Sequence, residues 1–166
     1  ATAILLMYRC GLRIGTLTRM TENQIDFESQ KIILSGEEMK NHKSLILPFD
    51  KQLGYFLEVL INQNKKVRKE YNVKNNLLFI TMKGTSTAKS LTSNSIQRGL
   101  RKYTNEFGVK NINPHALRRG FAKNLYMKSK DIVLVSKALG HNDLSVTTQY
   151  LHTELTDIAD KLREYL

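Results

Sequence analysis

Pro114-His115-Ala116-Leu117-Arg118-Arg119-Gly120-Phe121-Ala122-Lys123-Asn124-Leu125 opens a helix for reasons written in its residue types. Pro114 suits a first helical turn, where its missing N–H costs nothing. Leu117, Phe121, Ala122 and Leu125 recur at the spacing of one inward-facing stripe. His115 and Arg118, three residues apart, share a face of that helix. Further on, Asp131 caps a helix that Gly140 ends, in Leu139-Gly140-His141, and Asp143 caps another that carries Val146 and Tyr150. Far upstream, Arg13 sits at a junction between a helix stopped by Gly11 and a short one that turns Ile14, Leu17 and Met20 inward.

Outward from these segments the pattern alternates between β-prone runs and amphipathic helices. Asn23 to Phe27, Lys31 to Leu34 and Ser44 to Leu47 read as short strands, broken by Glu28-Ser29-Gln30 and by a polar loop from Ser35 to Lys43. From Asp50, a good N-cap, the apolar positions Leu53, Phe56, Leu57, Leu60, Ile61 and Val67 predict a long helix with a lysine-rich outer face. Leu77 to Ile80 reads as extended, followed by a small polar loop from Lys83 to Ser90. After Thr92, the residues Ile96, Leu100 and Tyr103 form a stripe that leaves Arg98, Arg101 and Lys102 outside. A last helix spans about Glu154 to Leu166. The expected fold class is α+β, mostly helical with a small antiparallel three-stranded sheet.

The 166 residues suit one domain, 1–166, large enough to bury a core without cross-links. Lys and Arg number 26 against 15 Asp and Glu, a formal net charge of +11, which favours a polyanionic partner. DNA, RNA and an anionic membrane all fit that charge. Membrane is the weakest, because no apolar run approaches the roughly 20 residues of a spanning helix. The single Cys10 lies in an apolar helical stretch and reads as a small core residue rather than a nucleophile. A reducing, cytoplasmic setting is expected. The chain starts at Ala1 inside a helical run, so it is read as a fragment of a longer protein.

The chemistry-bearing residues fit work on a phosphodiester. Metal-free cleavage needs a nucleophile, cations to match charge growing on the non-bridging oxygens, and an acid for the departing 5′ oxygen. Arg13 and Arg118 offer planar forks that bind phosphate oxygens in pairs, and His115 and His141 can donate hydrogen bonds and move protons near neutrality. Tyr150 has a phenol of reference pKa about 10, a poor nucleophile unless a base takes its proton or cations stabilise the phenolate. No carboxylate cluster near these motifs suggests a metal pair, and Lys83-Gly84-Thr85 lacks the glycines of a P-loop. The expectation is therefore no metal and no cofactor.

With these motifs in order, the chain resembles the catalytic domain of tyrosine recombinases, the phage and transposon integrases. The Cys10-Gly11-Leu12-Arg13-Ile14 context, the His115 to Arg118 motif, and Leu139-Gly140-His141 followed by Thr147-Thr148-Gln149-Tyr150 carry the likeness over nearly the whole sequence. The resemblance implies that fold and a DNA breaking-rejoining activity that needs neither metal nor ATP. It implies that Arg13, Arg118 and His141 hold the scissile phosphate, His115 aids proton transfer, and Tyr150 attacks to form a 3′-phosphotyrosine. A lysine between the second and third strands would protonate the leaving oxygen; the match falls on Lys40, with Lys43 as competitor. The family usually has an acidic residue three positions after its first arginine, where this chain has Thr16, a change expected to leave Arg13 less firmly oriented.

The activity expected is site-specific recombination of double-stranded DNA, for integration or excision of a mobile element. Two other readings are open: relaxation of DNA in the manner of a type IB topoisomerase, and a non-catalytic DNA-binding module. The resemblance also implies small helical core-binding and arm-binding domains upstream, a tetramer on DNA coupled through the segment 154–166, and accessory DNA-bending proteins. That segment, with Leu155, Ile158, Ala159 and Leu162 on one face, could equally cover the domain's own core.

Overall fold

Asp50, Thr92, Asn113 and Asp131 each start a helix by accepting hydrogen bonds from backbone N–H groups of its first turn, which would otherwise lack partners. The computed structural model of the chain describes residues 1–37, 44–82, 87–108, 112–141 and 144–151, the last three without their side chains. In chain order the elements are α1 (Thr2–Arg9), α2 (Ile14–Leu17), a 3₁₀ turn (Glu22–Gln24), β1 (Ile25–Asp26), β2 (Lys31–Leu34) and β3 (Leu45–Pro48). The helices α3 (Lys51–Glu70), α4 (Ser93–Glu106), α5 (Pro114–Ser129), α6 (Ile132–Leu139) and α7 (Leu144–Leu151) follow. This is the mostly helical α+β architecture that the sequence predicts.

The three strands form one antiparallel sheet in the order β1-β2-β3, with Ile32 opposite Leu47 and Ile33 opposite Ile46. Alternation along β2 buries Ile32 and Leu34 and exposes Ile33, so one face of the sheet meets the core. Leu53, Leu57 and Ile61 of α3 join Ile32, Leu34 and Leu47 in that core, along with Leu6, Met7, Leu17 and Met20 from the first two helices. Each such leucine contributes about 1.5–3 kcal/mol through burial. A second, smaller cluster joins Ala122, Val135 and Leu139, with Phe121, Leu125 and Tyr126 against it. Leu117 belongs to the first cluster and Ala122 to the second, so Arg118 lies at the seam between them.

Two expectations need correction. The first strand is shorter than Asn23 to Phe27, because Asn23 and Gln24 belong to the 3₁₀ turn. Thr21 and Gln24 cap that turn reciprocally, the Thr21 N–H donating to Gln24 Oε1 at 2.9 Å, and this local pairing competes with a strand. Tyr103 is not part of the buried stripe of α4 but is 48% exposed. Thr104 takes the inward place after Ile96 and Leu100, keeping a four-residue spacing, and its hydroxyl donates to the Arg101 carbonyl. Val146 of α7 is 38% exposed, while the polar Thr147 beside it is fully buried.

Cys10 behaves as a core residue: burial first, then the charge of Asp50, pushes its thiol up to about 12. No helix among the described residues is long and apolar enough to cross a membrane. The segment 154–166 lies outside the described residues.

Candidate active site

Two glycines aim backbone carbonyls and a histidine at the start of α5. Gly11 has φ +62° at the turn between α1 and α2, and a Cβ there would meet the Phe121 ring. Gly140 ends α6 in the same left-handed conformation, with φ 63°. Only glycine takes that backbone without strain. The His141 N–H donates back to the Ser136 carbonyl at 2.9 Å, which folds the chain over the helix end and turns His141 toward α5.

Arg118 rises from the second turn of α5 into this space and is 3% exposed. Its Nη1 donates to the Gly11 carbonyl, and its Nη2 donates to the Leu139 carbonyl at 2.7 Å and to His141 Nε2 at 3.0 Å. One guanidinium thus ties together three segments separated by 107 and 21 residues in sequence. The Leu139 carbonyl lies at the C-terminal end of α6, where the helix dipole is negative, so it compensates part of the buried charge.

Arg13 is half-buried at the N-cap of α2, where its carbonyl accepts from the N–H groups of Thr16 and Leu17. Among the described residues no carboxylate pairs with it. Thr16, at the position where the resemblance expects an acid, is buried. Arg13 and Arg118 both reach His141: burial first, then the charges of Arg118 and Arg13, lowers its pKa to about 4. The His141 ring is therefore neutral at pH 7. On its other side, Nδ1 lies 2.9 Å from the buried hydroxyl of Thr147 on α7.

Of the residues expected from the sequence, Arg13, Arg118 and His141 converge here. His115 is exposed in the first turn of α5, on the same helix as Arg118 but not inside the seam. Tyr150 lies in the last turn of α7, whose backbone is described while its side chain is not. Lys40 and its competitor Lys43 lie outside the described residues. Sequence reasoning missed Thr147 and the carbonyls of Gly11 and Leu139. The carbonyls leave no side-chain signal, and a threonine beside a valine in an amphipathic helix gives no hint that the threonine turns inward.

Chemically, the site gathers two permanent cations and one neutral imidazole, with no carboxylate paired to Arg13 among the described residues. That composition suits a singly charged anion with oxygens on several sides, such as a phosphodiester.

Comparison with known proteins agrees with that chemistry. The phage integrase family matches residues 1–156. The chain is 33% identical over 155 residues to tyrosine recombinase XerC of Histophilus somni, covering 93% of this chain and 49% of that protein. It is 31% identical over 156 residues to the XerC of Mannheimia succiniciproducens, with the same two coverages. The chain spans about half the length of these curated relatives. Among solved structures, XerA recombinase superposes with a TM-score of 0.77 at 21% identity, covering 98% of this chain and 57% of the other. XerH site-specific recombinase, bound to a palindromic difH substrate after cleavage, superposes with a TM-score of 0.73 at 26% identity, covering 97% of this chain and 44% of the other.

Proposed function

We propose, since this chain belongs to the phage integrase family, that its pocket cleaves and rejoins double-stranded DNA as the catalytic domain of a site-specific tyrosine recombinase. The observation that carries the reading is the 3.0 Å bond between Arg118 and His141, with the charge of Arg13 reaching the same ring. The turn at Gly11 just before Arg13, the end of α6 and α5 itself, distant in sequence, meet around the Arg118 guanidinium, which supports this reading.

In this reading Arg13, Arg118 and His141 bind the non-bridging oxygens of the scissile phosphate, matching the charge that grows there in the transition state. The Tyr150 hydroxyl oxygen attacks phosphorus, its bond to phosphorus forming as the bond to the 5′ oxygen breaks. The phenol gives up its proton with help from His115, and the 5′ oxygen takes one from Lys40. The product is a 3′-phosphotyrosine and a free 5′ hydroxyl. Because the phosphoester count is unchanged, a 5′ hydroxyl from a second strand can reverse the step without ATP. Two such rounds exchange four strands, which calls for a tetramer on DNA, with the segment 154–166 as the coupling element and DNA-bending proteins as accessories.

The test is incubation of the protein with nicked suicide duplexes, in which cleavage releases a short fragment and leaves the protein covalently on DNA. Wild type is expected to yield a detergent-resistant complex and Tyr150→Phe none. A 5′-bridging sulfur leaves as a thiolate, of reference pKa about 8.5, and needs no proton donor. Cleavage of that substrate is expected to be restored in Lys40→Ala, whereas restoration in Lys43→Ala alone would move the acid to Lys43. A covalent complex with Tyr150→Phe, or none with wild type on DNA that it binds, would overturn the assignment.

A further inference from the structure

Thr147 is fully buried on α7, a polar residue turned inward while Val146 beside it stays 38% exposed. Its Oγ1 lies 2.9 Å from His141 Nδ1, and the other ring nitrogen, Nε2, lies 3.0 Å from Arg118 Nη2. A guanidinium only donates, so Nε2 must accept and carries no hydrogen in this arrangement. The ring hydrogen therefore sits on Nδ1 and is donated to Thr147 Oγ1.

We propose that Thr147 is the positioning residue of the pocket: its hydroxyl anchors Nδ1, fixes the plane of the His141 ring, and keeps Nε2 aimed at the point that Arg118 also faces. The role in catalysis rests on the recombinase reading; the anchoring does not. When a phosphate oxygen takes the place of the Arg118 contact, Nε2 must become a donor. It does so either by gaining a second proton or by shifting the ring hydrogen from Nδ1. A hydroxyl serves both cases, since it accepts from Nδ1–H or donates to a bare Nδ1 without moving. A carboxylate could only accept, and valine could do neither. Thr147 thus holds one ring orientation through every protonation state the pocket requires. The same α7 carries Tyr150 in its last turn, so the anchor also ties the helix of the proposed nucleophile to the phosphate-binding histidine.

Two readouts test this. The first is the ring ¹⁵N spectrum of the ¹⁵N-histidine-labelled chain without DNA at pH 7.5. Wild type and Thr147→Ser are expected to show His141 with hydrogen on Nδ1, and Thr147→Val to lose that preference. Thr148→Val is the control, because that exposed hydroxyl bonds instead to the Leu144 carbonyl. The second is the rate of covalent complex formation on a suicide duplex. It is expected to fall roughly 10–100-fold in Thr147→Val, the usual cost of losing a group that orients a functional histidine, and to recover in Thr147→Ser. Hydrogen on Nε2 in wild type, or a wild-type spectrum and rate in Thr147→Val, would overturn the proposal. Failure of every variant, wild type included, to cleave while the spectra behave as expected would sink the recombinase reading and leave the anchor standing.

Discussion

Replacing Arg118 with glutamine should damage the fold as well as the chemistry, and the size of the damage follows from its bonds. The guanidinium is 3% exposed and donates to the Gly11 and Leu139 carbonyls on either side of the seam between the two apolar clusters. A glutamine amide is shorter and can reach at most one of them. The carbonyl left behind loses its donor at a cost of about 1–3 kcal/mol, and the charge-assisted bond that is downgraded adds about 1 kcal/mol. A net loss of about 3 kcal/mol is therefore expected. For a domain of this size, each kcal/mol lowers the melting temperature by about 2–4 °C, so the variant should melt about 6–12 °C below wild type. Thermal and urea unfolding at pH 7.5 measure this, with exposed Arg119→Gln as a control expected to lie within about 0.5 kcal/mol of wild type. An Arg118→Gln protein that melts with wild type would refute the cross-link. If the loss appears, cleavage rates of Arg118 variants have to be normalised to the folded fraction before they report on phosphate binding.

Two further outcomes follow from the same geometry. Gly11→Ala should destabilise by about 2–4 kcal/mol, because the new Cβ would sit 2.4 Å from Phe121 Cδ1 at a φ of +62°; a melting temperature equal to wild type would show that this turn relaxes freely. The second concerns pH. The folded pKa of His141, about 4, lies below its ordinary value of 6.5, so its contribution is complete above pH 6.5 and is lost as pH falls toward 4, where the folded ring finally accepts the proton the unfolded chain already holds. Fully expressed, the difference is about 3 kcal/mol. The ring is only partly buried, and solvent screening should reduce this to about 1–2 kcal/mol. Unfolding free energies of wild type and His141→Gln between pH 7.5 and 4.5 should diverge by that amount, with wild type losing more; parallel curves would contradict the desolvated ring.

Much of this arrangement is legible in the sequence because the relevant signals are local. Asp50, Asp131 and Pro114 mark helix starts by their own chemistry, and Gly140 marks an end. The order of the Arg13, His115-to-Arg118 and Leu139-to-His141 motifs picks out the candidate residues, of which Arg118 and His141 meet in the structure while His115 stays exposed outside the seam. What the sequence hides depends on choices between neighbours. Thr104 rather than Tyr103 faces the core because the stripe of α4 advances by four residues, a difference of one position that periodicity over three points cannot resolve. Thr147 rather than Val146 is buried for a polar reason, a partner on His141, against the hydrophobic preference of the two side chains. The 3₁₀ turn displaces the start of β1 because reciprocal side-chain bonds at Thr21 and Gln24 outcompete β propensity.

The two arginines that the sequence presents as a pair are held differently. Arg118 is fixed by carbonyls before any anion arrives, one of them at the negative end of α6, so its burial is offset by dipoles already in place. Such a group needs little rearrangement when charge develops on a phosphate, which is the condition under which an electrostatic contribution is largest. Arg13 sits half-buried on a helix N-cap, with Thr16 where an acidic partner is usual in the family and no carboxylate partner among the described residues. Its charge is therefore less compensated and its side chain less constrained. On the proposed recombinase reading, Arg118 would set the position of the phosphate and Arg13 would adapt to it.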